Sequence, residues 1–245
     1  MLLKDEMARS GRTLFRWRSY VPLFVLLVVA YGLTNFRYLW DSEVLDVVWE
    51  LLCLSVAACG LGFRALTVGF VPAHTSGRNT KRQDAASLNT TGMYSIVRHP
   101  LYLGNFLIWL GIALFPHNSW VVLVAVLAFW VYYERIMLAE EDFLQSRFGA
   151  AFSEWAERTP AFRPAFRNWV PPALPYSWRA TLGRENSTWF ATITTFFALE
   201  LAGDFFAGQD PNVDLGWLLL FSAGLTAYIV LQWMKRHHRL DVEGR

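Results

Sequence analysis

The stretch Thr91-Gly-Met-Tyr-Ser-Ile-Val-Arg-His-Pro-Leu-Tyr-Leu-Gly104 carries a polar, basic loop directly into an apolar segment. Proline is tolerated in the first turn of a helix, where the amide hydrogen it lacks would have no intrahelical partner. The sequence therefore predicts a helix starting near Pro100, with Tyr102 in its first turn. Arg98 and His99 then stand at the mouth of a hydrophobic helix, a fixed cation beside a titratable imidazole. That is where chemistry is expected.

Outward from this point the chain is a series of apolar runs. With 54% hydrophobic, 16% aromatic and only 17% charged residues over 245 positions, it is too apolar for an ordinary soluble domain. Runs are read from Val21 to about Trp40, Val44 to about Phe63 with a helical extension toward Val71, Leu101 to Phe115, Trp120 to about Leu138, Trp189 to about Phe206, and Val213 to about Met234. A span of about 20 residues at 1.5 Å rise covers a bilayer core of roughly 30 Å. The expected fold is all-α, a polytopic transmembrane helix bundle of about six spans with a cytoplasmic pocket at helix ends. Leu101 to Phe115 is short for a span.

Charge placement gives orientation. Lys4 to Arg18, Arg78 to Arg98, Arg147 to Arg184 and Lys235 to Arg245 alternate with outer turns carrying Asp41, Glu43, Asp210 and Asp214. By the positive-inside rule both termini and the motif-bearing loops are cytoplasmic, and a bacterial inner membrane is expected. The division expected is an N-terminal two-helix segment (1–72), a core with the cofactor motifs (73–164), a Pro-rich linker (165–188) and a C-terminal transmembrane hairpin (189–245). Within the core, residues 139–164 read as an amphipathic helix with Leu144, Phe148, Phe152 and Trp155 on one face. Glu50, Glu200 and Asp204 are ionisable groups within or near spans, read as packing partners between helices. Cys53 and Cys59 lie roughly 240° apart around a helix axis and do not pair. No metal site and no nucleic-acid partner is expected. The absence of Gly-x-Gly-x-x-Gly excludes a soluble Rossmann-type nucleotide fold.

Taken together, Gly92-x-Tyr94, Arg98-His99-Pro100-x-Tyr102-x-Gly104, Glu140-Glu141-x-x-Leu144, Phe148-Gly149 and Pro160 resemble the signature of the isoprenylcysteine carboxyl methyltransferase family, whose wider relatives include the phospholipid methyltransferases. The resemblance covers roughly residues 75–164. It implies an integral membrane enzyme that uses S-adenosylmethionine and methylates a membrane lipid or lipidated substrate. It also implies a cofactor site lined by Asn79, Leu88, Asn89, Tyr94, His99, Pro100, Leu101, Tyr102 and Glu140.

Methyl transfer from a sulfonium donor asks the protein mainly for position and a dry, charge-matched pocket. An acceptor oxygen that is already anionic, carboxylate or phosphate, needs an orienting cation, for which Arg98 and Arg135 are candidates. A phospholipid amine would instead need a base, for which His99, Glu140 or Glu141 would serve. Arg98, Arg135 and Glu141 are accordingly the candidate catalytic residues. Two other classes stay open: a sterol-type reductase whose NADPH phosphate would meet Arg78, Lys81 and Arg82, and a non-enzymatic membrane scaffold. The same basic loop also suits anionic lipid headgroups.

Overall fold

The computed structural model describes residues 3–17, 20–34, 36, 42–72, 86–208 and 214–244. Asn79 and the basic loop Arg78, Lys81 and Arg82 lie outside the described residues. The described chain is helical: α1 (Leu3–Arg16), α2 (Val21–Leu33), α3 (Glu43–Phe70), α4 (Met93–Ile96), α5 (Pro100–Leu114), α6 (Ser119–Phe148), α7 (Ala150–Arg158), α8 (Trp178–Ala207) and α9 (Leu215–Arg236).

Helix starts follow side-chain chemistry. Pro100 opens α5 after His99 at its N-cap. Asn118 accepts from the amides of Trp120 and Val121 to cap α6, Ser177 caps α8 through the Ala180 amide, and Asp214 caps α9 through the Gly216 amide. Each side-chain oxygen accepts from an amide that the first turn leaves unpaired.

Among the described residues four helices, α3, α6, α8 and α9, are long and apolar enough to cross a membrane, and two shorter apolar helices, Leu23–Leu33 and Pro100–Leu114, accompany them. Against about six expected spans, the described residues hold four helices of spanning length and two short apolar helices. At 13 and 15 residues, α2 and α5 reach only about 20–23 Å.

Small residues set the spacing of the bundle. A Cβ on Gly60 of α3 would lie 2.5 Å from the Gly104 carbonyl oxygen of α5, and one on Gly111 would lie 2.6 Å from the Cys53 carbonyl oxygen. The two helices therefore run antiparallel with backbones nearly touching, as small residues allow in membranes. Asn105 with Tyr133 and Phe106 with Phe129 set α6 antiparallel to α5. Helix α8 returns along α3, and α9 folds back on α8 through stacked pairs Phe190–Tyr228 and Phe197–Phe221. One end of the bundle collects the C-terminus of α3, the N-termini of α5 and α8, and the C-terminal half of α6.

Three sequence expectations shift. Residues 3–16, read as a basic flank, form an amphipathic helix on α6, where the Tyr132 hydroxyl donates to the Leu14 carbonyl and Arg12 pairs with Asp142. The amphipathic helix read over 139–164 is instead the end of α6 and the separate α7, broken at Gly149, whose φ of +53° admits few other residues. The Pro-rich stretch ends at Ser177 rather than 188, because α8 begins at Trp178 and buries Thr181, Glu185 and Asn186. Glu50 faces the bundle, as expected, and accepts from the Trp217 indole at 3.2 Å.

Gly60→Ala should destabilise the bundle by about 1–3 kcal/mol, because only backbone and core atoms surround the new methyl. Gly62→Ala, which meets nothing within 4 Å, should be neutral or stabilising by up to about 1 kcal/mol. Thermal unfolding of the two variants in detergent checks the contrast.

Candidate active site

The motif loop is held by backbone pairing. The amides of Arg98 and His99 donate to the carbonyls of Pro160 and Ala161 at 2.9 and 3.2 Å, Ala165 donates to Ile96 at 2.9 Å, and Gly92 donates to Val170 at 2.9 Å. Val170 in turn donates to Ser95 Oγ at 2.9 Å, and the Trp155 indole to the Tyr94 carbonyl at 3.0 Å. The Pro-rich return after α7 is thus a brace for the motif and not a free linker. Its pairing leaves the His99 side chain, 3% exposed, aimed at α6.

There the imidazole meets consecutive carboxylates. Nε2 lies 3.0 Å from Glu141 Oε1, and Nδ1 lies 3.5 Å from Glu140 Oε2. Tyr102 stacks on the ring, centroids 5.6 Å apart and planes at 19°. Arg98 Nε is 3.1 Å from Glu141 Oε1, an ion pair whose N–H is not aimed for a hydrogen bond, while Arg98 Nη1 donates to the Ala156 carbonyl at 3.2 Å. With an acceptor at each ring nitrogen, the arrangement suits the imidazolium, the form that donates from both. Burial works against that charge, but hydrogen bonds to Glu140 and Glu141 and their negative charge outweigh it, so the His99 pKa is raised. Burial, then the Glu140 carboxylate, raise the Tyr94 phenol well above its ordinary range, against the opposing pull of Arg184 and Arg64.

Two recesses open here. One of about 40 Å³ is lined by Tyr94, Arg98, His99, Pro100, Leu101, Tyr102 and Glu140. The other, of about 220 Å³, has Leu88, Asn89 and Tyr94 in its wall, with Thr67 and Phe70 of α3 and the following Val71 opposite. Tyr94 belongs to both. The expected cofactor residues within the described chain therefore fall into two adjoining groups. Of the candidate catalytic residues, Arg98 lines the smaller recess and Glu141 is engaged by His99 and Arg98 together. Arg135 stands apart: its Nη1 donates to the Val131 carbonyl one turn back at 2.6 Å. Six positions along a helix, roughly 240° around its axis, turn its side chain away from that of Glu141.

Sequence reading missed a buried polar cluster beside the site. Arg64 of α3 grips Glu185 of α8 and Asn105 of α5, and Asn105 donates to the Tyr133 hydroxyl at 3.1 Å. Asn105, a lone amide inside an apolar run, was the available signal.

The profile of the phospholipid methyltransferase family matches residues 61–151. The chain is 33% identical over 180 residues to the cobalt-zinc-cadmium resistance protein CzcN of Cupriavidus metallidurans, covering 74% of this chain and 70% of that one. It is 31% identical over 215 residues to the nickel-cobalt-cadmium resistance protein NccN of Alcaligenes xylosoxydans xylosoxydans, covering 88% and 87%. It is also 32% identical over 85 residues to the protein-S-isoprenylcysteine O-methyltransferase of Schizosaccharomyces pombe, covering 35% and 36%.

The chain belongs to the isoprenylcysteine and phospholipid methyltransferase family of integral membrane proteins. Among its relatives the two resistance proteins are matched over most of their length, but their names describe a phenotype and not a reaction. The chain spans about a third of the length of the fission-yeast enzyme. No solved structure matches. The profile match runs from the middle of α3 through the start of α7. It includes His99, Glu140 and Glu141 and excludes α8 and α9.

Because folded His99 holds its proton more tightly than a free imidazole, its contribution to stability is complete below about pH 6.5 and is lost as pH rises through its raised folded value. Unfolding free energy measured against pH should therefore decline above about pH 6.5. In His99→Gln that component of the decline should disappear.

Proposed function

We infer that the protein is an S-adenosylmethionine-dependent methyltransferase that modifies a lipid or lipidated acceptor at the cytoplasmic leaflet, with a carboxylate or phosphate oxygen as the methyl acceptor. The observation that carries this reading is the buried imidazole of His99, set between Glu140 and Glu141 in the wall of a recess at converging helix ends.

The donor set fits the cofactor by its chemistry. S-adenosylmethionine, when bound, supplies a methyl group activated by a sulfonium. Glu140 would accept from its ribose hydroxyls or its ammonium group, and His99 with Tyr102 would hold its carboxylate or ribose. Leu88, Asn89 and Tyr94 would line the purine end. Neither recess alone reaches the roughly 300–1,000 Å³ typical of small-molecule sites. Joined at Tyr94, they suit an elongated ligand with an aromatic head and a charged tail.

The state of His99 favours an oxygen acceptor over an amine. With a carboxylate facing each ring nitrogen, the imidazole is poorly placed to take a proton from an acceptor, and an anionic oxygen needs no base. What it needs is a cation to orient it. Arg98 lines the recess and fills that role better than Arg135, which is turned back on its own helix. Basic residues gather at this end of the bundle, which supports a cytoplasmic site with both termini on the same side. Arg9, Arg12, Arg16, Arg98, Arg147 and Lys235 are among them.

Membranes incubated with methyl-labelled S-adenosylmethionine should yield label in an extractable lipid or lipidated product. Release by mild base identifies a carboxyl ester. His99→Ala and Glu140→Ala should each lower incorporation by about 100-fold or more. Absence of labelled product from wild-type membranes, or full incorporation by both variants, would contradict the assignment.

A further inference from the structure

We propose that Arg64, Asn105 and Glu185 form a positioning device through which α8, an element outside the family match, fixes the tyrosine wall of the His99 site. It rests on the reading of that site as the cofactor site. Arg64 Nε and Nη2 donate to the two oxygens of Glu185 at 2.7 and 2.9 Å, and Nη1 donates to Asn105 Oδ1 at 2.6 Å. The Arg64 and Glu185 side chains are 15% and 3% exposed. A guanidinium only donates, so it dictates which way the Asn105 amide faces. With its oxygen on Arg64, the amide nitrogen is delivered to the Tyr133 hydroxyl at 3.1 Å. The Tyr133 ring sits 5.0 Å from that of Tyr102, and Tyr102 stacks on His99. Each contact restricts the next, from α8 to the imidazole. Gly104 of the motif gives the arginine its path, since a Cβ there would come within 2.5 Å of Arg64 Cγ.

A simple tie between α3 and α8 does not account for this arrangement. That tie already exists one and two turns further along: Ser177 donates to the Gly69 carbonyl at 2.9 Å, and Thr181 and Tyr176 hydroxyls donate to the Ala65 carbonyl. Nor is a buried ion pair an efficient source of stability, since apolar residues of similar volume usually serve as well. What apolar residues cannot supply is a fixed orientation for the Asn105 amide.

Two variants separate positioning from scaffolding. Arg64→Met/Glu185→Met removes both charges at similar volume and leaves no buried ion behind. Asn105→Leu cuts the relay and leaves the ion pair intact. The His99 titration is followed by NMR of histidine-labelled protein without ligand, the resonance being identified by its absence in His99→Gln. Affinity for S-adenosylhomocysteine is measured by calorimetry.

Both variants should purify as wild type, shift the His99 midpoint by about half a pH unit or more, and weaken S-adenosylhomocysteine roughly 3- to 30-fold. If the double variant does not fold, Asn105→Leu decides alone. An unmoved His99 titration in folded variants overturns the proposal whatever the affinity does. If the titration moves but wild-type protein does not bind S-adenosylhomocysteine, the positioning device stands and the cofactor reading falls.

Discussion

Two adjacent carboxylates closing on one buried imidazole is the interaction that this end of the helix bundle is built to hold. His99 alone, removed from water at the start of α5, would lose its proton. Glu140 and Glu141 reverse that outcome, and they can do so only because α6 runs on past the apolar part of its length without a break. A helix that ended with the apolar run near Leu138 would not deliver them. The continuity of α6 to Phe148 is therefore as much a part of the site as the motif residues themselves.

Geometry on the other side of the imidazole comes from close packing. The α3–α5 contact, with backbone against backbone at Gly60, Gly104 and Gly111, sets the depth at which α5 begins. The return segment 159–170 then pairs with the motif through backbone hydrogen bonds on both sides of α4, so His99 cannot swing away from α6. Burial in a low-dielectric setting makes each of these polar contacts count for more than it would in water, and makes any unpaired one costly.

Much of this was legible in the sequence. Pro100 as the first residue of α5 followed from its missing amide hydrogen, and the end of α3 near Val71 followed from the apolar run. The meeting of His99 with Glu140 was implied by the family resemblance. The rest was hidden for identifiable reasons. The brace at 159–170 uses main-chain atoms, which leave no trace in residue type. The start of α8 carries Arg179, Arg184, Glu185 and Asn186 next to prolines, a composition that reads as a solvated linker, yet Glu185 and Asn186 are buried and Glu185 is gripped by Arg64 of α3. Gly149 was visible in the motif, but the hydrophobic spacing ran through it without interruption, so its positive φ could not be read from periodicity alone. Arg135 lay near the acidic pair in sequence, and only helical rotation separates it from them.

On the proposed function, the loop at Leu88–Tyr102 and the acidic pair of α6 enclose one methyl-donor site at one end of the bundle. Ultraviolet crosslinking of labelled S-adenosylmethionine to the purified protein, followed by peptide mapping, tests it directly. Label should appear in the peptides carrying Tyr94, Tyr102 and Glu140, and excess S-adenosylhomocysteine should abolish it. Label confined to α9, or to the opposite end of the bundle around His117 and Asp204, would contradict the claim.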